Sequence, residues 1–339
     1  MKDVFAAIDR LPKAELHMHI EGSIEPEMML DLGRRNGIAL PWRGVEEARA
    51  AYRFGNLKEF LDVFYRGLSV IVTEDDFFAV TDAYLRRAHA DGIVHAELFI
   101  SPQAHLGRGI GFDTMMRGVL RAFESARGGF GMSLKLIPLF QRHLPEEGAF
   151  PILDMAEPWR HEIAGFGLAG AELGNPPQHF ERLFAHCRDL GYPVVAHAGE
   201  EGPAAYVRDS LDLLKVKRID HGVRAADDPG LVDRLVREAI PLTVCPMANV
   251  RLGVFSSFAE HNLKALFERG VKVTVNSDDP SYFGAYLGDI LKLCVGELGM
   301  GFADIVQLLR NSFEAAFLPE RENEDFVERL HQAANASAD

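Results

Sequence analysis

Short β-branched, apolar runs recur along this chain, each followed by a longer stretch with helical period, which is the pattern of repeated βα units around a parallel sheet. The runs fall at residues 14–20, 93–100, 133–140, 162–170, 193–198, 218–222, 241–246 and 271–277. Eight such runs with helices between them predict an α/β fold closed into a (β/α)8 TIM barrel. An open doubly wound sheet is disfavoured because its glycine-rich dinucleotide loop is missing. Helices are expected at 75–91, 112–127, 179–190, 204–214, 229–238 and 258–269, then at 287–298 and 302–316, with a polar amphipathic helix at 321–334. The stretch after the first strand, which includes 57–72, is too long for one helix and is expected to hold two or three. A helical insertion there sits at the barrel mouth, where lids and pocket walls are built.

In such a barrel the reacting groups come from the strand C-termini. The first strand ends in His17-Met18-His19, and side chains two apart on a strand share a face, so both imidazoles can turn inward toward one cation. The pair alone is weak evidence. The fifth strand, Pro193-Val194-Val195-Ala196, is almost wholly apolar and then breaks into His197-Ala198-Gly199-Glu200-Glu201-Gly202. Glu200 is read as a carboxyl that reaches a substrate without binding metal, and Glu201 as a solvated loop acid. At the end of the sixth strand, His221 is either a satisfied structural histidine or a group that holds a metal-activated water and accepts its proton. The eighth strand runs into Ser277-Asp278-Asp279-Pro280, and two adjacent carboxylates at a barrel mouth are costly without a cation or hydrogen-bond donors. One of them suits a ligand, the other a substrate contact.

Three imidazoles and one carboxylate from strands one, five and eight make a zinc site with a position left open for water. The fourth strand, Phe166-Gly167-Leu168-Ala169-Gly170, lacks the lysine that bridges two metals in related barrel hydrolases, so one Zn2+ per chain is expected. No G-x-S-x-G elbow occurs, and Cys187, Cys245 and Cys294 are far apart with no C-x-x-C, which argues against serine or cysteine nucleophiles and predicts buried, reduced thiols. The formal net charge of −14 and the interleaving of basic with acidic residues argue against nucleic acid or anionic membrane as partners and favour a neutral small molecule. Scattered single Pro and Gly residues, with no low-complexity linker, predict one domain over 1–339. Asp3 and Asp9 near the start, without a long apolar run, predict a cytoplasmic chain. The sequence accommodates a homo-oligomer and is otherwise silent on assembly.

These segments, in this order, resemble the adenosine and adenine deaminase family, from Leu11 to about Leu318. The matching pieces are Pro12-Lys13-Ala14-Glu15-Leu16-His17-Met18-His19-Ile20-Glu21-Gly22, His197-Ala198-Gly199-Glu200, Ile219-Asp220-His221-Gly222, Leu242-Thr243-Val244-Cys245-Pro246 and Val275-Asn276-Ser277-Asp278-Asp279-Pro280. The resemblance implies a metal-dependent hydrolase (amidohydrolase) type barrel in which His17, His19, His197 and Asp278 bind zinc. It implies that Glu200 protonates the ring nitrogen beside the amino-bearing carbon, and that His221 orients the hydroxide and carries its proton. Asp279 would meet the imidazole part of a purine, and a backbone N–H near Gly170 the pyrimidine ring.

Within the family, nucleoside enzymes typically carry Asp where this chain has Glu21, and a longer acid there is read as filling the room of the sugar. The chain looks more like the branch acting on the free base, sharing Gly174-Asn175-Pro176-Pro177, Glu200-Glu201-Gly202-Pro203 and Tyr282-Phe283-Gly284. Adenine deamination to hypoxanthine and ammonia, a reaction of purine salvage and nitrogen metabolism, is therefore the expected activity, with a purine base as the partner. The second strand departs from that branch at Ile100-Ser101, smaller and more apolar than usual, which is read as enlarging the pocket. N6-substituted adenines, and more distantly adenosine, stand as alternative substrates; an inactive purine-binding barrel is the remote alternative. His89, His186, His261 and His331 are read as surface or packing residues, and His105 as the unassigned histidine nearest the pocket.

Overall fold

The computed structural model describes residues 2–338. Eight parallel strands follow one another in sequence order: β1 (Lys13–His19), β2 (Ile93–Ile100), β3 (Ser133–Gln141), β4 (Phe166–Ala169), β5 (Val194–Ala198), β6 (Arg218–His221), β7 (Leu242–Val244) and β8 (Val273–Val275). The ring closes just past β8, where Asp278 N–H donates to His17 O at 3.0 Å and His19 N–H donates to Asp278 O at 2.9 Å. The residue that closes the barrel is thus also one of its acids.

Two apolar layers hold this sheet. Alternate strand residues such as Ala96, Leu98 and Ile100 pack outward against the helices, while Phe99, Ile137, Leu139, Ala169 and Val195 fill the interior. The alternation follows from the period of two along a strand. It also settles Ile100: its side chain lies in the outer layer, so only Ser101 of that pair borders the mouth. The expected enlargement of the pocket by Ile100 does not occur.

The insertion after β1 holds helices Pro26–Asn36, Val45–Ala50 and Leu57–Leu68 before the long helix Glu74–Ala90. Strands β4, β7 and β8 are shorter than the apolar runs that announced them, β4 mainly at its N-terminal end, whereas β2 matches its run and β3 extends one residue beyond its own. The helix expected over 258–269 is two pieces, Phe258–Glu260 and Leu263–Glu268, broken at His261 in an extended conformation. Residues 210–214 close their helix as a π turn, and the last helix runs Glu320–Ala338. Helices Lys2–Arg10 and Phe150–Ala156 escaped the sequence reading. All three cysteines are buried and free. No helix among the described residues is long and apolar enough to cross a membrane.

Candidate active site

Register alone stacks the first polar layer. His197 pairs with Asp220, and Asp220 with Thr243, so three neighbouring strands point a polar side chain inward at one height. Thr243 Oγ1 donates to Asp220 Oδ1 at 2.8 Å, which commits its proton. His17 Nδ1 lies 3.0 Å from the same Oγ1 and must be the donor there. The tautomer is thereby fixed, and the lone pair of His17 Nε2 faces the barrel axis. That atom is buried and has no hydrogen-bond partner.

What it faces is a set of other electron-rich atoms. Asp278 Oδ1 lies 3.3 Å from His17 Nε2, though without hydrogen-bond geometry, and 3.3 Å from His19 Nε2. His197 Nε2 is 3.3 Å from His19 Nε2, and His221 Nε2 is 3.7 Å from Asp278 Oδ2. Ligand atoms of His17, His197, His221 and Asp278 lie within 4.8 Å of one another, and His19, Asp278 and Asp279 form an overlapping group. Phe99 closes one side, with its ring centroid 5.0 Å from that of His17 and 5.1 Å from that of His19. Nitrogen lone pairs and a carboxylate gathered in a dry pocket repel one another unless a cation lies among them. The donor set, imidazole nitrogens with one carboxylate, fits a divalent transition metal.

The electrostatics agree. Burial, reinforced by the neighbouring His17, holds His197 down to about 4, as ligation by a neutral ring requires, and burial holds His221 well below its ordinary value. Burial would raise Asp278, yet the surrounding imidazoles outweigh it and keep this carboxyl ionised. Its neighbour goes the other way: burial and the Asp278 charge push Asp279 well above the carboxylate range. Glu200 is likewise raised, by burial first and then by the charges of Asp278, Glu172 and Glu201. Two carboxyls raised beside one that is lowered is the pattern of an acid held ready beside a metal-binding carboxylate.

A cavity opens from this cluster to the mouth. Its inner end is lined by His19, Gly170, His197, Glu200, His221 and Asp279. Gly170 has φ 101°, a conformation that suits glycine and brings the backbone itself to the cavity wall. The outer wall is helix Leu57–Leu68, whose Leu57, Phe60, Leu61, Phe64 and Tyr65 recur at helical spacing and turn one face inward. Leu252 and Phe283 complete an apolar rim.

Every site residue expected from the sequence borders this cavity or its metal-ligand cluster, and two neighbouring readings change. Glu21 does not line the cavity. One of its carboxylate oxygens accepts Ser101 N–H at 2.9 Å and His105 Nε2–H at 3.0 Å, so it fixes the wall instead of filling space meant for a sugar. Glu201 is not a free loop acid, because its Oε1 accepts the N–H of Leu57 at 2.8 Å and so seats the first turn of the outer-wall helix.

Several contributors were invisible in the sequence. His261 is buried: its Nδ1 accepts Leu263 N–H at 3.0 Å, its Nε2 donates to Asn249 Oδ1 at 3.1 Å, and Asn249 Nδ2 then faces His221 Nδ1 at 3.3 Å. That chain aims the proton on His221 Nε2 toward the Glu200 carboxyl, 3.6 Å away. Glu172 and Arg142, also buried, underlie the Glu200 loop. The outer-wall helix did carry a signal, its i, i+3, i+4, i+7, i+8 apolar spacing, whereas the others are ordinary polar residues given meaning by distant partners.

The family description for adenosine deaminase matches residues 12–333. The chain belongs to the adenosine deaminase family. An adenine deaminase of Hahella chejuensis is 51% identical to this member over 322 residues, covering 95% of this chain and 96% of the relative. Among solved structures, an adenine deaminase from Arthrobacter aurescens superposes with a TM-score of 0.94 at 43% identity, covering 96% of this chain and 99% of that one. An amidohydrolase from Burkholderia ambifaria with bound Zn superposes at 0.90 with 26% identity, covering 100% of this chain and 95% of that one. This member of the family therefore carries, at the mouth of its barrel, a His and Asp cluster suited to a metal-dependent deaminase.

Proposed function

We propose that this deaminase hydrolyses adenine to hypoxanthine and ammonia as one cytoplasmic catalytic domain, with a small purine base and neither nucleic acid nor membrane as its partner. The observation that carries the reading is a buried Glu200 carboxyl, raised above its ordinary range by burial, bordering one small cavity together with the His and Asp cluster. His17, His19, His197 and Asp278 would hold the metal, for which zinc is the preferred ion given nitrogen-rich ligands. Zinc held by them would lower the pKa of water to about 7 and so supply the nucleophile near neutral pH.

The rest belongs to the protein. Attack at the amino-bearing carbon breaks ring conjugation, and Glu200 offsets this by donating its proton to the adjacent ring nitrogen. His221, held through Asn249, orients the attacking oxygen by donation from Nε2. Asp279 and the Gly170 backbone hold the base edge-on in the cavity. Phe60, Phe64 and Phe283 exclude water from its outer wall.

The curated relatives and the structural neighbour at 43% identity are named adenine deaminases, which supports the free base as substrate. The wall supports it too. Leu57, Phe60, Leu61, Phe64, Leu252 and Phe283 dominate it, with Tyr65, Ser101 and Gln141 as polar members, and each ribose hydroxyl set against the apolar part would lose its water at about 1–3 kcal/mol. Zinc-replete enzyme assayed for ammonia release with adenine, N6-methyladenine and adenosine is expected to favour adenine over adenosine by about 100-fold or more in kcat/KM. Equal rates with the nucleoside would overturn the assignment.

A further inference from the structure

Glu172, on the loop after β4, is buried with 1% of its surface exposed, and it belongs neither to the metal cluster nor to the cavity lining. Its carboxylate gathers four consecutive backbone donors. Oε1 accepts Gly199 N–H at 2.6 Å, and Oε2 accepts the N–H groups of Glu200 at 3.1 Å, Glu201 at 2.9 Å and Gly202 at 2.7 Å. Successive amides curled around one anion form a nest of the kind that binds phosphates or carboxylates, here filled by the protein's own side chain.

The loop sequence is written around that carboxylate. A Cβ on Gly202 would lie 2.6 Å from both Cδ and Oε1 of Glu172, so no other residue fits there without displacing the anion. Arg142, also buried, donates to His197 O at 2.6 Å and to Asn175 O at 2.9 Å, bracing the end of β5 and the Glu172 loop. Its guanidinium supplies the nearby positive charge for Glu172.

The two residues held at the centre of the nest point to different tasks. Glu200 turns inward, its Oε1 3.6 Å from His221 Nε2, and Glu201 turns outward to accept the N–H of Leu57 on the outer-wall helix. We propose that Glu172 is a positioning residue for the reaction: by fixing four amides it sets where the Glu200 carboxyl stands and, through Glu201, where the outer-wall helix is seated. It touches no reacting atom itself. The inference rests on Glu200 being the proton donor.

The test replaces Glu172 by Gln, which has nearly the same shape but only one acceptor oxygen and turns an NH2 group against amide donors. One zinc per chain and a fully folded protein at the assay temperature are expected, with the unfolding midpoint lowered because buried amides lose their acceptor. With them, kcat for adenine should fall about 100-fold, the effect of displacing a catalytic group by about 1 Å, and KM should rise as the helix seat loosens. Glu201→Ala is expected to raise KM while leaving most of kcat, which separates the helix from the acid. Glu172→Asp keeps both acceptors on a shorter arm and should recover part of kcat; if the Gln variant does not fold, a kcat loss with zinc retained in the Asp variant carries the same test. The proposal is overturned if kcat of Glu172→Gln stays within about threefold of the parent, or if its loss tracks loss of zinc or of folded protein at the assay temperature. Glu200→Gln is run beside it: wild-type turnover in that variant would instead remove the proton-donor role of Glu200 itself.

Discussion

His221 and Asp278 both adopt φ 64°, in the left-handed region. For residues other than glycine this costs about 1–3 kcal/mol and persists only where surrounding structure imposes it. Here the imposing structure is visible: Asp278 exchanges two backbone hydrogen bonds with β1, and Gly222, after His221, donates to Ala198 O at 3.1 Å. The strain turns each side chain sharply off its strand end and into the cluster. Glu200→Gln keeps the His and Asp cluster and the shape while removing the transferable proton, so metal content by atomic emission should be unchanged while kcat drops by about 10²–10⁴. His197→Ala removes an imidazole from the His and Asp cluster and should lose both metal and turnover. A Glu200→Gln enzyme with near-normal rates would exclude the carboxyl as acid.

The outer-wall helix Leu57–Leu68 is held at both ends by side chains from elsewhere. Asn56 Oδ1 accepts Glu59 N–H at 2.9 Å as an N-cap, and Glu201 takes the N–H of Leu57 at 2.8 Å. Beyond its C-terminal end, Arg108 donates to Ser69 O at 2.6 Å and to Ile71 O at 3.0 Å, and its Nη2 reaches His105 Nδ1 at 2.7 Å. His105 in turn donates to Glu21, which fixes Ser101 in the cavity wall. One arginine thus ties the helix to the opposite wall of the pocket. Arg108→Met should free that end at about 0.5–1.5 kcal/mol per lost hydrogen bond, raising KM for adenine several-fold with a smaller effect on kcat. Faster amide hydrogen exchange around residues 66–72 is the accompanying signature, and unchanged exchange would show that the tether is idle.

Below the metal layer the whole barrel is cross-linked by buried charge. Arg218, fully buried, donates to Glu97 Oε2 at 2.8 Å, to Ala315 O at 3.2 Å and to Leu16 O at 3.2 Å, joining β6 to β2, β1 and the end of helix Phe302–Ala315. The N–H of Phe317 donates to the other oxygen of Glu97. Burial alone would raise the Glu97 carboxyl, but the Arg218 charge and the nearby His95 overcome it and hold it below the usual range. A depressed carboxyl stabilises fully above its unfolded value of about 4.3 and loses that contribution as pH falls through the lower folded value. Urea denaturation is therefore expected to show stability falling with acid below about pH 4.3, and this slope should flatten in Glu97→Gln. At neutral pH the same variant leaves Arg218 buried with its carboxylate partner removed, a loss of about 3–5 kcal/mol. An unaltered acid slope would assign the pH dependence to other groups.

The sequence by itself determined the barrel and the chemistry at its mouth, because both are written in short-range signals. A βα repeat is legible within some tens of residues, and His17, His19, His197, His221 and Asp278 each sit at the end of an apolar run whose direction the barrel fixes. Only the tertiary structure decided what the remaining polar residues do. Glu172 means nothing until four amides from the next βα unit close around it, and Glu201 reads as a loop acid until the Leu57 N–H arrives from 144 positions away. Glu21 was misjudged for the same reason, and of the two readings of His261, surface or packing, burial leaves only packing. The worth of a buried polar group is set by its partner, and partners brought together by chain closure leave no mark in the local sequence.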